Sequence, residues 1–285
     1  MKINRATPDK HNYLETLTNI AKVPKYVYFT GVLPEKRIAT VAIVGTRKPT
    51  TYGREVAHAL SYDLAKKGVV IVSGLALGID TIAHKAALEA SGITIAVLAN
   101  SVDKVYPRTN KDLADKIIAS GGAILSEYEP PTDARDYQFL ARNRIVSGLS
   151  DATIVIEAAA RSGTLATVAH ALEQGKEVFV VPGNITSPLS AGCNALLKQG
   201  ARIVTCAEDV LEVIAPNLIE SQSFLPLGST PLESTIITLL QSGTRDGDEL
   251  QRQSLVTIAE FNQALTMMEI NGTIRGLGGN QWTLR

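Results

Sequence analysis

The chain has 285 residues, 45% hydrophobic and 20% charged, with 28 Lys+Arg balancing 28 Asp+Glu. This is ordinary globular composition, long enough for one large α/β domain and a small second one. A net charge of zero excludes a whole-protein basic field, so any nucleic-acid site must be a local patch.

The first ten residues, MKINRATPDK, lack the apolar core of a signal peptide. No apolar run approaches the roughly 18 residues of a membrane span. Cys193 and Cys206 stand alone and read as reduced thiols in a cytoplasmic protein.

Residues 1–35 are mixed in pattern and read as a short N-terminal extension, with YVYFT (26–30) as one edge strand. From 36 to 215 the text becomes regular. TVAIV (40–44) precedes the helical pattern 54–68, VVIVS (69–73) precedes 79–92, and TIAVLA (94–99) precedes 111–122. AILSE (123–127) leads into a longer loop. ATIVIEA (152–158) precedes 164–175, EVFVVPG (177–183) precedes 194–200, and ARIVT (201–205) precedes 207–214. Continuous apolar strands alternating with helices predict a Rossmann-like parallel sheet covered on both faces. Gly68, Gly92, Gly121, Gly175 and Gly200 are the expected left-handed helix ends.

Proline and glycine mark 216–229 as a linker. Residues 230–285 then show three amphipathic helices and two β-like runs about a Gly-Gly turn, the pattern of a winged helix. Ile258, Phe261, Leu265 and Met268 fall on one face of the third helix. Over 229–285 four basic residues (Arg245, Arg252, Arg275, Arg285) stand against six acidic ones (Glu233, Asp246, Asp248, Glu249, Glu260, Glu269). Phosphates would repel such a module, so it reads as a protein-contact or stabilising unit.

An open parallel sheet binds ligands beyond the carboxyl ends of its strands. The segments there are Gly45-Thr46-Arg47, Ser73-Gly74 with the following Leu75–Gly78, Arg161-Ser162-Gly163-Thr164, and Pro182-Gly183-Asn184. Glycine lets backbone N–H groups approach an anion, and arginine adds a planar fork suited to phosphate. The same glycines could serve only tight turns. A dinucleotide fingerprint and a P-loop lysine motif are both absent from the sequence.

A further signal is Phe139-Leu140-Ala141-Arg142-Asn143-Arg144. Arginines can hold successive phosphates and an aromatic ring can stack on an unpaired base, although a solvated helix start has the same look. His11, His58, His84 and His170 are scattered without metal-ligand spacing, so no metal site is expected. Asp80 and His84 are i,i+4 neighbours that could pair structurally. Glu157 ends a strand and could orient a loop, or Arg161, or act as a carboxylate. With no nucleophile beside a base, no catalytic residue and no cofactor are assigned.

Taken in order, VAIVGTRKPTTYG, VIVSGLALGIDTIAH, VYPRTN, GGAILSEY, FLARNRIVSGLSDATIVIEA, SGTLATVAHALEQGKEVFVVPG and GCNALLKQGA resemble the DNA-processing protein A (DprA, or Smf) family. They cover roughly residues 26–212. The resemblance implies an extended Rossmann domain that binds single-stranded DNA without strong sequence choice. It implies a homodimer that loads a RecA-type recombinase during natural transformation, with no membrane insertion. Its implied contact residues are Gly45, Thr46, Arg47, Ser73, Gly74, Phe139, Arg142, Asn143, Arg144, Ser162, Gly163 and Thr164. Leu77 departs from the arginine common in SGLARGID, and Leu98-Ala99-Asn100-Ser101 departs from a glycine-rich turn. The N-terminal helical domain of many members is short or missing.

Two rival readings remain at this level. One is a nucleoside-monophosphate phosphoribohydrolase-like Rossmann enzyme, although Thr167 stands where that motif carries a glutamate. The other is a winged-helix transcription regulator, against which the acidic third helix argues.

Overall fold

Strands apolar at every position must be covered on both faces, and the computed structural model, which describes residues 2–218 and 230–284, arranges them so. In chain order the elements begin with β1 (Asn4–Ala6), β2 (Val27–Gly31), β3 (Thr40–Val44), α1 (Thr51–Lys66), β4 (Val70–Ser73), α2 (Ile79–Glu89) and β5 (Thr94–Val97). They continue with α3 (Lys111–Ala119), β6 (Ala123–Ser126), α4 (Asp136–Leu149), β7 (Ala152–Val155), α5 (Thr164–Glu173) and β8 (Glu177–Val180). The first unit closes with α6 (Ala191–Lys198), β9 (Arg202–Ile203) and α7 (Ala207–Ile214).

These strands form one sheet of order β1-β2-β6-β5-β4-β3-β7-β8-β9. From β6 to β9 every pairing is parallel; β2 pairs antiparallel with both β1 and β6. The order reverses at β3, whose neighbours are β4 and β7. The loops after β3, β4 and β7 therefore diverge around one crevice, the place where such sheets accept ligands.

Successive residues of β3 serve opposite cores. Val41 and Ile43 pack with Ala57, Leu60 and Leu64 of α1, Ala83 and Ala87 of α2, and Val210 and Leu211 of α7. Ala42 and Val44 pack with Ile145, Val146 and Leu149 of α4, Val168 of α5 and Leu196 of α6. A side chain such as Ile43, wholly buried, contributes about 1.5–3 kcal/mol of transfer free energy.

Residues 26–30 are not the edge strand: β2 is interior and β1 covers it. Residues 1–35 do not stand apart, because Tyr13, Leu14, Leu17, Ile20 and Val27 are buried in the α4-side core. Tyr13 fixes this segment by a 3.1 Å hydrogen bond between its hydroxyl and Thr40 Oγ1. The expected loop after β6 contains the whole of α4. Gly68, Gly121, Gly175 and Gly200 do adopt positive φ, but near Gly92 it is Ser91 that does so. Gly92 instead leaves room for α1, since a Cβ there would lie 2.8 Å from the Ala65 Cβ.

The chain divides into two compact units, residues 1–219 and 220–285. The expected linker falls, beyond Leu218, outside the described residues. The second unit contains α8 (Pro231–Gln241), α9 (Gly247–Ser254), α10 (Ile258–Ile270) and the hairpin β10 (Ile274–Gly278) with β11 (Gln281–Leu284), a winged helix. Its core is Ile236, Ile237, Leu240, Leu250, Phe261, Leu265, Met268 and Ile274. Ile258, expected on the buried face of α10, is exposed; Ala264 takes that place.

Candidate nucleic-acid interface

Two backbone segments meet first at the crevice. Thr46 accepts at its carbonyl from Ile79 N (3.2 Å), and its own N–H donates to Glu157 O (2.8 Å). Gly78, with φ +83°, lies so close that a Cβ would sit 2.4 Å from Thr46 O. Only glycine tolerates both the dihedral and that approach. The loops after β3, β4 and β7 are thus held as one surface.

A cavity of about 390 Å³ opens between them. Gly45, Thr46 and Arg47 from the loop after β3, Gly74 and Ala76 from the β4–α2 turn, and Asp80 from the first turn of α2 line it. Phe139, Arg142 and Asn143 of α4 line it together with Arg161, Ser162, Gly163, Thr164 and Thr167, and Asn143 Nδ2 donates to Gly163 O (3.4 Å). Three arginines here stand against one carboxylate. Arg47 and Arg161 are exposed, and the Arg47 guanidinium lies 5.6 Å from the centroid of the half-buried Phe139 ring.

Arg142 is different in kind. It is 5% exposed and donates to Gly74 O (2.7 Å) and to Val97 O, while its Nε donates to Asn143 Oδ1 (3.2 Å). Burial lowers its pKa, and the nearby Asp80 charge opposes that shift. Asp80 in turn accepts from Gly74 N (3.1 Å) and Ala76 N (3.2 Å). Burial nevertheless raises its pKa, against the opposing pull of Arg142 and these hydrogen bonds. Arg142 is therefore a buried strut joining α4 to the ends of β4 and β5, with one side on the cavity.

Of the residues expected to meet DNA, ten line the cavity: Gly45, Thr46, Arg47, Gly74, Phe139, Arg142, Asn143, Ser162, Gly163 and Thr164. Two do not. Ser73 is wholly buried and donates to Ile43 O (2.6 Å). Arg144 points to the other side of α4, where it forms a two-pronged ion pair with Glu127 (2.6 and 2.7 Å) and donates to Lys22 O (3.0 Å). A helix turns about 100° per residue, so neighbours 142 and 144 cannot share a face.

Arg161, named from the sequence in a strand-end segment but not among the contacts the resemblance implies, lies in the loop after β7 and lines the cavity. The expected Asp80–His84 pair is not formed. His84 Nδ1 lies 2.7 Å from Thr94 Oγ1, whose proton goes to Ile71 O, so Nδ1 carries the histidine proton. Glu157 orients a loop, as one reading had it, but through Thr50: Oε2 accepts from Thr50 N (2.9 Å) and Oε1 from Thr50 Oγ1 (2.5 Å). Among the described residues no group of His, Cys, Asp and Glu is arranged to hold a metal. Likewise no described helix is long and apolar enough to cross a membrane.

Residues 4–215 match the model of the family "DNA recombination-mediator protein A", and 221–280 match "DprA winged helix domain". DNA processing protein DprA of Bacillus subtilis is 46% identical over 172 residues, 60% of this chain and 58% of that protein. Protein Smf of Escherichia coli is 43% identical over 204 residues, 72% of this chain and 54% of that one. The chain thus spans somewhat more than half the length of these relatives. A DNA processing protein A structure from Helicobacter pylori, described for its single-stranded DNA binding mode, superposes with a TM-score of 0.67 and 33% identity. The match covers 76% of this chain and 97% of that one.

Proposed function

Because the chain belongs to the DNA recombination-mediator protein A family, we propose that it binds single-stranded DNA at the crevice where its sheet order reverses and passes that strand to a RecA-type recombinase. The observation that carries this reading is the composition of the cavity rim. Exposed Arg47 and Arg161, a half-buried phenyl ring and glycine-rich strand-end turns lie around one opening. Cations on a few phosphates plus one stacked base suit a strand whose bases are unpaired. They carry no base-edge code, so binding is without strong sequence choice.

The ten lining residues predicted from sequence form the contact set, with Arg161 added. Within it the exposed arginines meet phosphates, and Arg142 holds the loops in place. The molecule acts as a homodimer during natural transformation and homologous recombination, in the cytoplasm, and as a binding protein rather than an enzyme. Anisotropy titrations with single- and double-stranded oligonucleotides of one sequence, in matched salt, test the reading. Clear preference for the single strand is expected; equal affinity would remove it.

A further inference from the structure

Tyr106 lies at the rim of the crevice and contributes no atom to the cavity lining. Its ring centroid is 5.6 Å from that of Phe139, with the two planes inclined at 56°. Half of its surface, 51%, is exposed. The segment that carries it is pinned. Asn110, 5% exposed, donates to Leu75 O (2.8 Å) and Thr81 Oγ1 (2.9 Å), tying residues 106–110 to the turn between β4 and α2. Arg108, two residues beyond the tyrosine, is also exposed. An exposed aromatic side chain on an anchored segment has its orientation fixed before any ligand arrives, which lowers the entropic cost of stacking.

We propose that Tyr106 is a second base-stacking residue, taking the nucleotide next to the one at Phe139. The proposal rests on the single-strand reading of the crevice. Rings inclined at 56° cannot both lie flat on one base, so each serves a different base. A strand crossing them must splay its neighbouring bases apart. An unpaired strand does this at little cost, whereas a duplex must first break its stacking and pairing. The pair Phe139–Tyr106 therefore selects unpaired DNA by shape, in addition to the charge of Arg47 and Arg161.

The test uses the full-length protein and oligothymidylate. Tyr106→Ala weakens binding roughly 5- to 150-fold, the range of one stacked base, while Tyr106→Phe binds like the unaltered protein. An oligonucleotide carrying a run of abasic sugars loses the difference between the Tyr106→Ala and unaltered proteins. As a second readout, Tyr106→Trp in a Trp282→Phe background gives a single tryptophan, since Trp282 is the sole one in the chain. Its fluorescence is quenched on binding oligothymidylate. Unchanged affinity in Tyr106→Ala, equal loss in Tyr106→Phe, or unquenched fluorescence from the Tyr106→Trp protein with DNA bound overturns the proposal. If Phe139→Ala and Arg47→Ala also bind normally, the crevice itself is the wrong site, which is a separate failure.

Discussion

The guanidinium of Arg142 fills the space that any side chain at Gly74 would need: a Cβ there would lie 2.4 Å from Nη2. The same guanidinium donates to the Gly74 carbonyl at 2.7 Å. Two residues 68 positions apart thus form one joint between α4 and the end of β4. Gly74→Ala must therefore expel Arg142, and the variant should resemble Arg142→Met. Each buried carbonyl left without its donor costs roughly 1–3 kcal/mol. Urea unfolding should show a loss of that order in both single variants and no further loss in the double variant. Additive losses would mean that the two positions act separately.

Arg47 and Arg161 should behave differently from Arg142, because they are exposed and hold no loop carbonyl in a described hydrogen bond. Arg47→Ala should leave thermal stability within about 0.5 kcal/mol, as exposed substitutions generally do. It should reduce the slope of log K against log salt by about 0.7 on single strands, the share of one phosphate. Anisotropy titrations across a salt series measure this. An unchanged slope in both Arg47→Ala and Arg161→Ala would move the phosphate contacts elsewhere.

The sheet was readable because β-branched apolar runs recur between helical patterns, and the crevice followed from the general rule about strand ends. What was not legible has particular causes. The sequence 136–149 mixes Tyr137, Phe139, Arg142 and Arg144 around its circumference, because α4 touches the core, the cavity and Glu127 at once. Such a helix shows no clean apolar stripe. The separate fates of Arg142 and Arg144 depend on which way a helix turns and on partners 17 to 122 residues distant. Glu127 and Gly74 offer no local hint of these pairings. The N-terminal segment was opaque for a similar reason: Tyr13 is buried against Thr40, a contact no periodicity announces.

His84 gives the fold a defined acid sensitivity. It is wholly buried, Nδ1–H donates to Thr94, and Nε2 has no hydrogen-bond partner within the described structure. Burial, with the positive charge of Arg142, lowers its pKa from 6.5 to about 3. A base whose folded pKa is depressed contributes stability that is present above its unfolded pKa and lost as pH falls toward the folded value. The His84 contribution should therefore decline from about pH 6.5 down to about pH 3. In urea titrations at successive pH values, the unaltered protein should lose stability relative to His84→Phe as pH falls from about 6.5 to 4.5. That window lies above the range in which the depressed carboxylates Asp133, Asp209 and Glu260 titrate. A difference independent of pH would show that His84 is already charged or exposed in the native state.

The winged helix should be dispensable for single-strand affinity. On α10, Glu260 is exposed and spends its carboxylate on the Thr257 cap (2.7 Å to Oγ1), leaving an acidic helix without Lys or Arg. Residues 1–219 have their own cores, so a chain ending there should keep its circular dichroism spectrum. Its affinity for oligothymidylate should stay within a few-fold of the full chain. Loss of most affinity with the spectrum intact would place DNA contacts in the second unit.

The protein should release no free base from nucleoside monophosphates. N-glycosidic cleavage needs a carboxylate free to share a proton or to face an oxocarbenium-like centre. The cavity presents Thr167 where a phosphoribohydrolase would carry that group, and a hydroxyl cannot ionise near pH 7. Two carboxylates lie close by, and both are engaged. Asp80 Oδ2 accepts two backbone N–H groups, and Glu157 is spent on Thr50 with both oxygens. Freeing Glu157 would release Thr50, whose Oγ1 caps α1 by accepting from Gly53 N (3.1 Å). Chromatography of AMP and related monophosphates after prolonged incubation should show no adenine or other base above the protein-free control. Base release that vanishes in Glu157→Gln or Asp80→Asn, with the fold retained, would make this crevice an active site and would identify the carboxylate that serves it.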